Sequence, residues 1–237
     1  MTIDNKLGDL IVEMQRAAHK NARDPQGLML VAVSKTHPIE VLREYEAAAQ
    51  QRGLRVVFGE NYLQEIKAKK ALLLPTSEIH MIGPLQSNKV RDAVALCDVI
   101  QSGHSLKILG LIAKEAARIG KRQRVFLQVN IGEDAAKSGF LEREMDEVLA
   151  AVEVETGALQ LEGLMTILPY NDDPEKGRMY YRRLTQLRHS LELRGLTRMF
   201  HKGWVLLSMG MSNDFGVAIE EGADLVRVGT ALFGERD

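Results

Sequence analysis

This chain is poor in cysteine, in aromatic residues and in long apolar runs, and it has almost no excess of either charge. Its single cysteine, Cys97, has no second thiol with which to form an internal disulfide, which fits a reducing compartment. The 31 Lys and Arg residues nearly balance the 32 Asp and Glu residues, so bulk charge gives no reason to expect nucleic-acid binding. Its apolar runs fall far short of the roughly 20 residues that span a bilayer. We therefore expect neither nucleic acid nor membrane as a partner.

An export signal is also missing from the start of the chain. Residues 1–6 lack the basic segment followed by an apolar segment that marks a signal peptide. With 237 residues, 45% of them hydrophobic, the chain can form a large core within one domain. We expect a compact cytoplasmic protein that is a monomer.

Short apolar runs alternate regularly with longer amphipathic segments. A helix is predicted over residues 1–22 and a turn at 24–27. Eight buried strands are predicted at residues 28–34, 56–59, 79–83, 98–102, 125–130, 159–165, 205–209 and 224–228. The helices between them are predicted at 36–53, 61–73, 87–96, 105–119, 141–155, 174–193 and 214–221.

This alternation leaves two α/β architectures, a closed (β/α)8 barrel and an open doubly wound sheet. The count of eight strands and the chain length favour the barrel. No GxGxxG follows the first strand, so the dinucleotide-binding form of the open sheet lacks its signature. We predict a single (β/α)8 TIM barrel over residues 1–237, with an extra N-terminal helix and turn at 1–27 and the barrel itself at 28–237.

Lys35 directly follows the first predicted strand. Functional residues of such barrels lie at the C-terminal ends of the strands. Desolvation there lowers the pKa of an amine toward the form that attacks a carbonyl, which Schiff-base chemistry requires. A lysine at a strand end can equally extend its amine into solvent. From this residue alone, both interpretations stay open.

Two turns rich in glycine and hydroxyl groups follow the seventh and eighth predicted strands. The first is Ser208-Met209-Gly210-Met211-Ser212, and the second is Gly229-Thr230. Backbone amides freed by glycine, with hydroxyl groups beside them, are typical of phosphate sites. The loops after strands seven and eight are also the usual phosphate position in this barrel. The alternative is a pair of tight turns with capping hydroxyl groups.

Arg227 is the next-to-last residue of the eighth predicted strand. An arginine that faces the interior of a barrel needs an acceptor, because an unpaired buried guanidinium is very costly. A ring nitrogen or a phosphate group of a ligand would serve. A carboxylate such as that of Glu60 or Asp224 would serve equally well.

Other polar residues are expected to be structural. His80 is predicted to be a hydrogen-bonded core histidine, and Cys97 a small packed apolar residue. The six histidines show neither HxH nor HExxH spacing, so no metal site is expected. A solvated helix face is predicted for Arg178, Arg182, Arg183 and Arg188.

Seven blocks in the same order carry a resemblance over nearly the whole chain. They are AVSK at 32–35, FGENY at 58–62, HMIGPLQSNK at 80–89, KSG at 137–139, GLMTI at 163–167, SMGMS with Asp214 at 208–214, and VRVGTALFG at 226–234. Together they resemble the YggS/PROSC family of pyridoxal phosphate homeostasis proteins.

The resemblance implies a barrel that holds pyridoxal 5′-phosphate (PLP) as an imine on Lys35. It implies that the phosphate contacts are Ser208, Ser212, Gly229, Thr230 and neighbouring amides, with Met209 also at the cofactor. It further implies Arg227 near the pyridine nitrogen and Asn61 beside the ring. The family is regarded as a non-enzymatic regulator that binds, buffers or delivers PLP, with apo PLP-dependent enzymes as recipients, and that affects amino-acid and keto-acid balance.

The same barrel is similar to the N-terminal domain of alanine racemases and ornithine-type decarboxylases, which leaves an enzyme as the alternative. Those enzymes add a β-domain that supplies a second acid or base, whereas only residues 235–237 follow Gly234 here, so we expect that group to be missing. Arg227 can only donate hydrogen bonds, so a pyridine nitrogen bonded to it stays unprotonated and is a weaker electron sink. A regulator with little or no turnover is favoured. A weak PLP-dependent racemase or lyase, and a Schiff-base aldolase for a phosphorylated sugar, remain as alternatives.

Overall fold

A closed barrel of eight parallel strands forms the centre of the molecule. The computed structural model describes residues 1–154, 157–169 and 171–234. The strands are β1 (Met29–Val33), β2 (Val57–Glu60), β3 (Glu78–Met81), β4 (Val99–Gly103), β5 (Gln123–Gln128), β6 (Leu159–Met165), β7 (Leu206–Met211) and β8 (Leu225–Val228). Each strand pairs with the next along the chain, and β8 returns to pair with β1, which closes the barrel. The predicted (β/α)8 barrel is confirmed.

Helices surround the barrel, and most begin and end close to the predicted positions. They are α1 (Ile3–Lys20), α2 (Ile39–Gln51), α3 (Leu63–Lys69), α4 (Val90–Leu96), α5 (Leu106–Arg118), α6 (Met145–Val154), α7 (Arg178–Leu193), α8 (Phe215–Glu220) and α9 (Thr230–Phe233). The helix predicted over 141–155 starts with a 3-10 turn at Glu142–Glu144, and its last predicted residue lies outside the described residues. The four-residue helix α9 was not predicted.

Capping hydroxyl groups fix the start of two helices. The Oγ1 of Thr2 accepts a hydrogen bond from the Asn5 amide at the start of α1, and the Oγ of Ser105 accepts one from the Ile108 amide at the start of α5. The extra N-terminal helix α1 packs against α2 and α8. None of the helices in the described part of the chain has the length and apolar character needed to cross a membrane.

The strands of the barrel separate two apolar cores, one inside the barrel and one between the barrel and the helices. Val31, Val57, Val99 and Phe126 belong to a small cluster inside the barrel. A much larger cluster contains the alternate strand residues and the buried faces of the helices. Because side chains alternate along a strand, a residue next to an interior residue faces the helices.

The predicted solvated face of α7 is wrong for two of its four arginines. Arg178 donates hydrogen bonds to the carboxylates of Glu220 and Glu221, at distances of 2.7 and 2.8 Å. Arg188 bonds to Asp224 at 3.0 Å, and only 13% of its side chain is exposed. The reason is that α7 packs beside α8, and the carboxylates at the end of α8 and just after it face α7. Sequence spacing within α7 does not reveal that neighbour.

Candidate functional site

A cleft of about 230 Å³ opens at the C-terminal ends of β1, β7 and β8. Five residues predicted for the site line it, namely Lys35, Ser212, Arg227, Gly229 and Thr230. The other described residues of its wall are Val33, Pro169, Asn171, Met211, Asn213 and Asp214. The fold therefore brings together a lysine, an arginine and two turns that are separated by almost 200 residues of sequence.

The turn after β7 and the turn after β8 are joined by a hydrogen bond. The amide of Gly229 donates to the Oγ of Ser212 at 3.1 Å. Gly229 is also pressed against β1, since a Cβ at this position would lie 3.3 Å from the backbone oxygen of Val33. Thr230, the first residue of α9, is exposed at the cleft. Hydroxyl groups and amides in this arrangement suit a phosphate group.

Asp214 and Tyr181 fix the shape of the turn after β7. Asp214 accepts a hydrogen bond from the Met211 amide at 2.7 Å through Oδ1, and one from the Tyr181 hydroxyl at 2.6 Å through Oδ2. Burial raises the pKa of Tyr181, and the charge of Asp214 raises it further. The turn also requires glycine at position 210, where φ is +89° and a Cβ would lie 2.5 Å from the Cβ of Ala218. Sequence reasoning missed Tyr181, which looks like any apolar-face residue of α7.

Arg227 faces the interior of the barrel with 4% of its surface exposed. Its Nη1 donates to the Oγ of Ser208 at 2.8 Å, and its Nη2 donates to the backbone oxygen of Thr166 at 2.7 Å. Burial lowers the pKa of Arg227 to about 10, so the group is still charged at neutral pH. Both of these acceptors are neutral, so neither balances the positive charge that Arg227 buries at the wall of the cleft.

The two carboxylates considered as partners of Arg227 are paired with other cations. Lys69 lies 3.1 Å from Glu60, and burial raises the pKa of that carboxyl even though Lys69 opposes the effect. Asp224 pairs with Arg188 at 3.0 Å and with Arg23 at 3.2 Å. The alternative of a direct ion pair between Arg227 and Glu60 or Asp224 is therefore wrong.

Ser208 and Met209 lie below the turn, and neither lines the cleft. The hydroxyl of Ser208 points into the barrel, where it bonds to Arg227 and to Gln101. The side chain of Met209 points the other way, into the core beneath the helices. Both hydrogen bonds of the Ser208 hydroxyl are made within the protein, and a phosphate contact from this residue stays a prediction. A contact between Met209 and a ligand also stays a prediction.

Asn61 follows β2 and is half-buried, but it is not part of the described cleft wall. Its backbone is in close contact with Gly83, where a Cβ would lie 2.8 Å from both the Cα and the O of Asn61. Gly83 thus has a packing reason to be glycine. A direct role for Asn61 beside a ligand ring stays a prediction.

The backbone that carries Lys35 is held in an unusual conformation. Thr36 has a φ of +67°, a region that residues other than glycine rarely adopt. Its amide donates to Oε2 of Glu65 at 2.7 Å, and Lys69 bonds both to that carboxylate at 2.6 Å and to the backbone oxygen of Ser34 at 3.0 Å. Lys35 itself is half-buried in the cleft wall. Glu65 and Lys69 fix the turn on which Lys35 lies, and nothing in the sequence singles them out.

His80 and Cys97 have structural surroundings, as predicted. His80 is buried inside the barrel and bonded to Gln101 at 2.8 Å, and burial lowers its pKa. Cys97 is buried, and burial raises the pKa of its thiol to about 12. The described residues contain no group of three or more His, Cys, Asp or Glu side chains arranged to hold a metal ion.

Comparison with known proteins places the chain in a family. Residues 14–237 match the family of the alanine racemase N-terminal domain, to which the chain belongs. Within it, the chain belongs to the pyridoxal phosphate homeostasis proteins, which confirms the resemblance found in the sequence. It is 38% identical to the pyridoxal phosphate homeostasis protein of Aquifex aeolicus, over 100% of this chain and 99% of that protein. The corresponding protein of Pseudomonas aeruginosa is 39% identical over 100% of this chain and 96% of its own length.

A solved structure shows the same fold with a ligand. PipY from Synechococcus elongatus, in a structure with PLP bound, is 31% identical to this chain. The alignment covers 98% of this chain and 100% of PipY, with a TM-score of 0.78.

Proposed function

We propose that this chain binds PLP in the cleft at the barrel mouth and serves vitamin B6 and amino-acid or keto-acid homeostasis as an exchangeable carrier, with little or no turnover. The observation that carries the proposal is the convergence of Lys35, Arg227 and the two hydroxyl-bearing turns on one cleft. The names of the relatives and the PLP-bound structure of PipY support it. Apo PLP-dependent enzymes are the proposed recipients.

The residues of the cleft match the chemistry of the cofactor. Ser212, Gly229 and Thr230 would hold the phosphate, and Arg227 would donate to the pyridine nitrogen. The amine of Lys35 would hold the aldehyde carbon covalently. When bound, the cofactor supplies an aldehyde that condenses with an amine and releases water.

Low turnover is proposed because the described cleft wall offers no group besides Lys35 that could serve as a second acid or base. The titratable residues there are Lys35, Asp214 and Arg227. Both carboxylate oxygens of Asp214 accept hydrogen bonds within the protein. Racemisation needs acid–base groups on both faces of the substrate carbanion, so Lys35 alone is insufficient. The alternative is a weak PLP-dependent racemase or lyase.

Borohydride reduction tests the role of Lys35. Incubation with PLP should produce a visible absorption band, which a cofactor-free aldolase would lack. Reduction followed by peptide mapping should place the adduct on Lys35, and Lys35→Ala should abolish the adduct while leaving the fold intact. An adduct mainly on Lys89 or Lys137 would contradict the assignment.

A double variant tests the phosphate turns. Ser212→Ala with Thr230→Ala should weaken PLP binding at least tenfold, because each hydrogen bond to a charged group contributes about 1.5–3 kcal/mol. Pyridoxal, which lacks the phosphate, should bind the double variant and the wild type about equally. If the double variant prefers PLP over pyridoxal as strongly as the wild type does, the phosphate lies elsewhere.

Cofactor transfer and proton exchange separate a carrier from an enzyme. Loaded protein should restore the activity of an apo PLP-dependent enzyme, and a phosphatase that destroys free PLP would show whether the transfer passes through solution. Solvent-deuterium exchange at the α-carbon of alanine should be negligible, with Lys35→Ala as the control. Exchange at ordinary enzymatic rates, about 1–10³ per second, would favour the enzyme.

A further inference from the structure

A chain of hydrogen bonds crosses the interior of the barrel and ends at Arg227. Nη1 of Arg227 donates to Oγ of Ser208 at 2.8 Å, and that hydroxyl donates to Oε1 of Gln101 at 2.7 Å. Nε2 of Gln101 bonds to Nδ1 of His80 at 2.8 Å, and Nε2 of His80 lies 3.5 Å from Oε2 of Glu78. The first four residues are at most 4% exposed. The chain therefore links the cleft to the opposite end of the barrel without solvent.

The chemistry of the groups fixes the direction of every bond. Arginine only donates, so Ser208 must accept from it and has its own proton left for Gln101. The carbonyl of Gln101 is thereby occupied, and its amide group donates to Nδ1 of His80. That nitrogen is consequently unprotonated, and the proton of a neutral His80 lies on Nε2, directed at Glu78. The low pKa that burial gives His80 agrees with this neutral form.

The far end of the chain is anchored by charge. Glu78 accepts hydrogen bonds from Arg124 at 2.8 Å and from Nε of Arg55 at 2.9 Å. Burial opposes ionisation of this carboxyl, but the hydrogen bonds from His80 and Arg55 and the charge of Arg124 hold its pKa well below the ordinary value. Arg124 is in turn bonded to Glu162 at 3.0 Å. These contacts give the carboxylate of Glu78 a fixed position.

We propose that Ser208, Gln101 and His80 are positioning residues for ligand binding, because their chain holds the guanidinium of Arg227 in the orientation from which it would donate to the pyridine nitrogen. This inference rests on the proposed function. Among the described residues, the other acceptor bonded to Arg227 is the backbone oxygen of Thr166. Loss of Ser208 removes one acceptor of the guanidinium directly, whereas loss of Gln101 or His80 removes the bonds that orient the Ser208 hydroxyl toward Arg227. The planar group is then free to turn away from the ligand.

The barrel offers two matched pairs of variants for the test. Ser208→Ala breaks the chain, whereas Ser102→Ala removes a hydroxyl that is equally buried on β4 and has no hydrogen-bond partner among the described residues. Gln101→Leu also breaks the chain. Gln123→Leu removes an equally buried amide, whose nitrogen donates to the backbone oxygens of Asp98 and Arg124 and to no member of the chain.

The readouts are the PLP dissociation constant and the pH midpoint of the visible band. Ser208→Ala should weaken PLP binding about tenfold or more, as expected for loss of a hydrogen bond from a charged group, and Gln101→Leu should weaken it less but by more than about twofold; both should shift the midpoint. Ser102→Ala and Gln123→Leu should stay within about twofold of the wild type, whatever they do to thermal stability. His80→Gln, which keeps one acceptor and one donor, should bind PLP better than His80→Leu.

The decisive comparison uses Arg227→Gln as a background. There, Ser208→Ala and Gln101→Leu should change PLP binding no further, because residues that act through one group are not additive. Full additivity, or chain variants that bind PLP and absorb like the wild type, would overturn the inference. If Gln101→Leu does not fold, Ser208→Ala and the two His80 variants decide the question. Failure of the wild type to bind PLP would overturn the proposed function and this inference together. A wild type that binds PLP, with chain variants that behave like it, would overturn this inference alone.

Discussion

Removal of one hydroxyl group, in Tyr181→Phe, should destabilise the protein by a measurable amount. The hydroxyl lies 2.6 Å from Oδ2 of Asp214, and only 1% of Tyr181 is exposed. Phenylalanine keeps the ring but leaves a carboxylate oxygen without its donor. Hydrogen bonds to charged groups contribute about 1.5–3 kcal/mol. In a domain of this size each kcal/mol shifts Tm by about 2–4 °C, so a loss near 2 kcal/mol should lower Tm by about 4–8 °C.

The matched control is Tyr45→Phe. Tyr45 is also 1% exposed, its ring packs 5.5 Å from that of Phe58, and its hydroxyl makes no hydrogen bond with a described residue. Its loss should change Tm by no more than about 1–2 °C. Scanning calorimetry of the apo forms at pH 7 compares the two variants. Equal shifts, or no shift for Tyr181→Phe, would refute the idea that the hydroxyl supports Asp214 and the turn after β7.

Three further variants test other contacts. Glu78→Gln should lower Tm at pH 7. Because the folded-state pKa of Glu78 is depressed, the stability that its carboxylate contributes is present above its ordinary pKa of about 4.3 and is lost as pH falls below that value toward the folded-state pKa. The Tm of the variant and that of the wild type should therefore converge as pH falls, and a constant gap between them would contradict the argument. Gly83→Ala should cost about 1–3 kcal/mol in urea unfolding, because its Cβ would lie 2.8 Å from the Asn61 backbone. Gly110→Ala, in α5 with nothing within 4 Å of the new Cβ, should instead stabilise the protein by up to about 1 kcal/mol, and a loss would count against the described packing of α5.

The barrel was predictable because its strands are buried on both faces. Such strands appear in the sequence as short continuous apolar runs, and eight of them separated by helices leave few topologies. The positions of Lys35, Gly229 and Thr230 follow from that topology, since each lies just beyond the end of a strand. These residues needed no knowledge of side-chain partners to be identified.

Because these strands are buried on both faces, the sequence does not show which of their residues face the interior of the barrel. In β7, both Ser208 and Met209 are fully buried, so hydrophobicity does not show which one points inward, and a shift of one residue exchanges their roles. Long-range partners are hidden as well. Gln101 and Ser208 are 107 residues apart in sequence, and nothing near either residue indicates the other. The positive φ of Thr36 depends in the same way on a carboxylate from α3.

The surroundings of Arg227 bear on why this barrel would hold a cofactor rather than activate it. Burial lowers the pKa of Arg227, and the nearby Tyr181 and Asp214 only partly oppose this, yet at about 10 the group remains charged at neutral pH. It therefore has no proton acceptor to offer and gives up its own protons at neutral pH only at a high free-energy cost. A pyridine nitrogen bonded to it accepts a hydrogen bond without becoming protonated, which limits the ring as an electron sink. Because that nitrogen supplies a neutral acceptor to a buried cation, the proposed contact stabilises binding more than it promotes chemistry.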